Sequence, residues 1–227
     1  MDKKPKIYLV PGLLTNETIY RGVRKELENF DTEVLEFIPA LKNESISDYA
    51  KRLSERIDTS TPFYLMGTSF GGILCIEMTK FLEPEGVILV SSAKSRDELS
   101  TFMKQELASK ALIPAIPHWA IKNFFTRGFQ VGGRFVPRMK SIYNEDIKTM
   151  INSIDGHFEK WVIHQFPRWR GELTHENYLH IHGDKDRVFP FKYVKDADVI
   201  PGGSHSIIIH NYKEIADMVK DFIEDKS

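Results

Sequence analysis

Gly67-Thr68-Ser69-Phe70-Gly71 sets a serine between two glycines, directly after the apolar run Phe63-Tyr64-Leu65-Met66 and directly before the helix-like Ile73-Leu74-Cys75-Ile76-Glu77-Met78. A strand passing through such a pentapeptide into a helix must turn sharply, with enough strain to lift the serine hydroxyl clear of the sheet. Positions 67 and 71 leave room for that turn only when they carry no side chain. The helix N-terminus aims N–H groups at the serine, which suits an oxygen that becomes anionic in acyl transfer, and the Phe70 N–H is one such donor. A serine hydroxyl is weakly nucleophilic until a base takes its proton, so this chemistry demands a histidine and an acid from elsewhere in the fold. The pattern is short, and a glycine-rich turn without chemistry is its rival reading.

The elements that must position such residues follow an alternating rhythm of short apolar runs and helical-period segments. That rhythm predicts an α/β fold, a mostly parallel sheet of about six strands flanked by helices. The expected strands are Ile7 to Val10, Glu33 to Ile38, Phe63 to Met66, Val87 to Ser91, Tyr178 to His182, and Val199 to Ile200. Ile46, Tyr49, Ala50, Leu53 and Ile57 recur at helical spacing behind Ser45 and Ser47, both cap-forming residues. Near the C-terminus, Asn211 and Glu214 read as a capping box, and Ile215, Met218, Val219, Phe222 and Ile223 form one apolar face.

Taken with its flanks, the serine turn resembles that of the α/β-hydrolase superfamily, whose catalytic residues follow the chain order Ser, Asp or Glu, His. The resemblance covers nearly the whole chain. The run Gly183-Asp184-Lys185-Asp186-Arg187-Val188-Phe189-Pro190 is similar to the family's acid turn and implies Asp186, rather than Asp184, as the acid; a surface-turn aspartate is the duller reading. Gly202-Gly203-Ser204-His205 resembles the family's histidine loop and implies His205 as general base. Val10-Pro11-Gly12-Leu13-Leu14 resembles the loop that gives the second oxyanion donor, Leu13 ahead of Leu14. Pro11 stands where many relatives carry histidine, but the donor is a backbone group. The two leading strands of the larger members have no counterpart. The resemblance thus implies a serine hydrolase of esterase or thioesterase type, with Ser69 as nucleophile, acting without cofactor or metal. A lyase or C–C bond hydrolase using the same three residues, and a non-catalytic small-molecule-binding protein, are the alternatives. His180 and His182 alternate with Asp184 and Asp186, but Lys185 occupies the position where an H-x-H-x-D-H metal site needs histidine, so both read as strand residues.

One stretch breaks the alternation. Residues 94–174 hold helical patches, aromatics and internal Pro and Gly without a good strand, and read as a helical cap inserted into a core made of 1–93 and 175–227, the whole a single structural domain. From Leu107 to Asn144 there is no Asp or Glu, while Lys110, Lys122, Arg127, Arg134, Arg138 and Lys140 are interleaved with Trp119, Phe124, Phe125, Phe129 and Phe135. Such a stretch suits an anionic or amphipathic substrate, or else is a solvated face whose aromatics join cap to core. Over 227 residues the net charge of -1 gives no overall field for nucleic acid. The single cysteine, Cys75, excludes an intramolecular disulfide and a Cys-rich zinc site. No apolar run approaches the roughly 18 residues of a membrane span, and Ile7 to Val10 is too short for a signal peptide core, so the expectation is a cytoplasmic protein with a small-molecule partner.

Overall fold

Ile7, Tyr8, Leu9 and Val10 are all buried, and their alternation divides them between two cores, Tyr8 and Val10 facing one and Ile7 and Leu9 the other. A strand covered on both faces has no solvent side, which is why its sequence is a continuous apolar run. The structure is a computed structural model that describes residues 5–106, 112–135, 149–150, 154 and 156–225.

Among these residues the strands are β1 (Lys6–Val10), β2 (Asp31–Val34), β3 (Phe63–Thr68), β4 (Gly86–Val90), β5 (Tyr178–Gly183) and β6 (Asp198–Ile200). They form a six-stranded sheet in the order β2-β1-β3-β4-β5-β6, with every pairing parallel. One face is covered by α2 (Ile46–Ser54) and α3 (Phe70–Met78), the other by α1 (Arg21–Glu26), α6 (Ile207–His210) and α7 (Tyr212–Glu224). Every residue of α3 is buried. A helix apolar all round is an interior helix, here wedged between the sheet and the elements outside it.

Two expectations need correction. The second strand runs over Asp31–Val34 rather than Glu33 to Ile38. Its ladder ends where the Leu35 N–H reaches the Leu9 carbonyl, and beyond it the N–H and carbonyl of Ile38 are both taken by the Tyr49 hydroxyl of α2, each at 3.0 Å. At the start of α7, Asn211 makes no capping bond with its side chain, and its backbone N–H is already donated to the Ile207 carbonyl closing α6. Glu214 therefore meets the Asn211 side-chain amide instead of its backbone. Ser45 does cap α2, accepting from the Asp48 N–H at 3.1 Å.

Between β4 and β5 lie α4 (His118–Phe135) and α5 (His157–Gln165). The two ends of this segment meet through a bridge between Ser95 and Glu172 and the bond from the Leu173 N–H to the Lys94 carbonyl. Phe158 and Val162 of α5 enter the core beside Tyr49 and Phe70, and the Trp161 indole donates to the Glu44 carbonyl at 2.9 Å. Trp119, Lys122, Phe124 and Arg127 are exposed on α4. Lys110, Arg138 and Lys140 lie outside the described residues, as do the side chains of Phe125, Phe129, Arg134 and Phe135. No helix among the described residues is long and apolar enough to cross a membrane.

Candidate active site

In a parallel sheet of this kind the crevice beyond the carboxyl ends of the strands, where the strand order reverses, is the natural ligand site. The order reverses between β1 and β3, and Leu13 and Ser69 stand just past the ends of those two strands. Asp186 and His205 follow β5 and β6.

Ser69 turns from β3 into α3 with φ of 56°, a left-handed backbone that a residue with a Cβ adopts only under strain. The glycines around it are explained by contact. A Cβ on Gly67 would collide with the backbone of Gly71 and Gly72, and one on Gly71 would collide with the carbonyls of Val10 and Pro11. The turn is braced from both sides: the Ser69 N–H donates to the Val90 carbonyl, and the Ser92 hydroxyl donates to the Ser69 carbonyl at 2.8 Å. Behind it the buried Tyr20 hydroxyl joins the Val10 carbonyl to the Thr68 hydroxyl, at 2.6 and 3.0 Å, tying the ends of β1 and β3 together.

His205 lies between the serine and the aspartate. Its Nε2 is 3.0 Å from Ser69 Oγ, and its Nδ1 is 2.8 Å from Asp186 Oδ2. The ring stacks on Phe189, centroids 5.8 Å apart. The Asp186 side chain is fully buried, and its other oxygen, Oδ1, accepts the N–H groups of Val188 and Phe189 at 2.8 and 2.9 Å. Asp184, by contrast, accepts the Gly202 N–H and does not meet the imidazole.

Phe70 is the first residue of α3, so its N–H has no acceptor within the helix. Leu13 sits in a tight turn closed by the Thr15 N–H and hydroxyl on the Gly12 carbonyl, with Leu14 in the left-handed region at φ of 66°. Both Leu13 and Phe70 border the cavity that opens on Ser69.

The sequence gives three neighbours no part in the site, His182 reading there only as a strand residue. Ser92 is one. His182 is the second: its Nε2 donates to the Phe189 carbonyl at 2.8 Å and lies 3.4 Å from Asp186 Oδ2, and burial keeps its ring neutral by pushing its pKa down. The third is Glu98, buried, whose carboxylate accepts the N–H groups of Lys94 and Lys195 and so joins the start of the insertion to the loop after Asp186. His180 is also buried, 3.2 Å from the Ser92 carbonyl through Nε2.

The cavity measures about 820 Å³. Leu13, Ile19, Phe189 and Ile208 line it from the core, and Met103, Ile113, Ile116, Val162 and Phe166 from the segment between β4 and β5. No Lys, Arg, Asp or Glu occurs among its described lining residues, and Arg127 is not one of them.

A family model described as the alpha/beta hydrolase family matches residues 24–218. No curated protein sequence matches the chain. Among solved structures, MenH from S. aureus is similar at 14% identity with a TM-score of 0.72, covering 99% of this chain and 95% of that one. A thermophilic esterase from Thermogutta terrifontis gives 16% identity and a TM-score of 0.68, covering 98% and 90%. YbtT, a type II thioesterase of the yersiniabactin NRPS/PKS pathway, gives 15% identity and a TM-score of 0.60, covering 100% and 96%. At these identities the likeness is one of fold.

Proposed function

The chain belongs to the alpha/beta hydrolase family, and from that premise we propose that it is a serine hydrolase cleaving carboxylic esters or thioesters with an uncharged, apolar acyl group. The observation that carries the reading is the unbroken relay Ser69 Oγ, His205 Nε2, His205 Nδ1, Asp186 Oδ2, at 3.0 and 2.8 Å, opening on an apolar cavity. The esterase and thioesterase names among the structural neighbours agree with it.

In this reading His205 Nε2 takes the Ser69 proton as Oγ attacks the acyl carbonyl, and the N–H groups of Phe70 and Leu13 hold the resulting oxyanion. Collapse breaks the bond to the alcohol or thiol, which leaves with the proton from His205. A water molecule, deprotonated by the same imidazole, then attacks the acyl-enzyme and releases the carboxylic acid and free Ser69. Asp186 keeps the proton on Nδ1 and stabilises the imidazolium. Residues 94–174 act as the cap, supplying Met103, Ile113, Ile116, Val162 and Phe166 to the acyl-contacting surface.

The test is a fluorophosphonate probe combined with a panel of nitrophenyl esters and acyl thioesters of graded length. Ser69→Ala is expected to lose both labelling and turnover. Each added methylene buried in the cavity contributes about 0.8 kcal/mol, so kcat/KM should climb about fourfold per carbon until the cavity is filled. Labelling that survives Ser69→Ala, or a flat dependence on chain length, would overturn the reading.

A further inference from the structure

Among the described residues of the basic, aromatic stretch, Trp119, Lys122, Phe124 and Arg127 do not line the cavity. On α4 the described exposed side chains are His118, Trp119, Lys122, Asn123, Phe124 and Arg127, while Ile121 turns inward. Trp119 is 59% and Phe124 73% exposed, unusual values for two large aromatics on one helix. Two lining residues of the cavity share this character, for Phe102 and Leu112 are themselves 80% and 62% exposed. Acidic groups are absent from the sequence of the whole region, Leu107 to Asn144, against six Lys and Arg.

Exposed Trp and Phe beside Lys and Arg on a helix whose own sequence holds no acidic residue match the two requirements of an anionic bilayer surface. The aromatic rings enter the headgroup boundary, and the cations stay at the level of the phosphates. A protein partner with an acidic surface would satisfy the charges, but a deformable apolar layer also receives the exposed surfaces of Trp119 and Phe124. We propose that residues 112–127 dock the protein on anionic lipid surfaces, with the cavity mouth at Phe102 and Leu112 turned toward the membrane. The docking goes beyond the hydrolase reading and does not depend on Ser69.

The full chain is sedimented with phosphatidylcholine vesicles and with vesicles of phosphatidylcholine and phosphatidylserine. Binding is expected on the mixed vesicles, to weaken as salt shortens the reach of the charges, and to be retained by Ser69→Ala. Each basic residue near an anionic surface contributes about fivefold, so Lys122→Glu with Arg127→Glu should lower binding at least about twentyfold. Trp119→Ala with Phe124→Ala should lower it as well. None of these four residues lines the cavity, and a circular dichroism spectrum and Tm unchanged from wild type verify that the variants are folded. Failure to bind either kind of vesicle, equal binding to both, or a dimer that Trp119→Ala with Phe124→Ala dissociates would each overturn the proposal. Because the readout is sedimentation, its outcome is separate from that of the esterase panel.

Discussion

Asp186 divides its two oxygens between different tasks, and this determines what a single-atom change does. Oδ1 accepts two backbone N–H groups, and Oδ2 faces the His205 Nδ1. In Asp186→Asn the amide oxygen is required at the Oδ1 position, which turns the new NH2 toward His205. The imidazole must then accept at Nδ1 and carry its proton on Nε2, where it can no longer take one from Ser69. By the precedent of serine proteases the loss in kcat should be roughly 10⁴-fold. Asp184→Asn keeps an acceptor for the Gly202 N–H, so a change of less than about threefold is expected. Steady-state kinetics on one ester distinguishes the two, and the reverse ranking would reassign the acid. His182 holds the Phe189 carbonyl and borders Asp186, so it supports the same turn from beneath.

The turn from β3 into α3 works only because α3 approaches β1 closely. Gly71 is the contact point, against the carbonyls of Val10 and Pro11 that lead into the Leu13 turn. Gly71→Ala must therefore separate α3 from β1, displacing both N–H groups proposed to hold the oxyanion. A loss of about 10² or more in kcat/KM and a clear fall in Tm are expected. Gly202→Ala is the informative contrast. Gly202 has φ of 72° but open space around it, so alanine adds only conformational strain of about 1 kcal/mol. Differential scanning calorimetry with kinetics on the two variants checks this. Gly202→Ala harming activity as much as Gly71→Ala would show that backbone freedom, not close approach, governs the site.

Across the whole molecule, burial of neutral histidines in β5 makes stability depend on acid. Burial pushes the His180 pKa down to about 3 and lowers that of His182 as well, while an unfolded chain has histidines near 6.5. Below about pH 6.5 the unfolded chain therefore binds protons that the folded one refuses. Stability is full above that value and falls as pH drops, for His180 by about 1.4 kcal/mol per unit until its folded pKa is reached. Urea unfolding at pH 7.5 and pH 5 should show His180→Leu losing about 2 kcal/mol less than wild type. An identical loss in both proteins would mean that His180 takes up a proton in the fold as readily as in the unfolded chain.

Ser69 with its glycines, the apolar runs of β1, β3, β4 and β5, and the α/β alternation were legible in the sequence because each is a local demand, steric at the turn and periodic in the strands. The limits of β2 were not, since Ile38 is drawn out of the sheet by Tyr49, a residue on another element. Nor was the start of α7, where the preceding helix had already claimed the N–H that a capping box needs. Asp186 and His205 could be named from turn resemblance, but their meeting at 2.8 Å is a property of parallel strands β5 and β6 lying side by side. For the basic stretch the sequence left two roles open, serving the pocket or facing water. For its described residues tertiary packing decided the place by turning Ile121 inward and leaving Trp119, Lys122, Phe124 and Arg127 outside the cavity, because a helix buries one face and the sequence does not state which neighbour that face will meet.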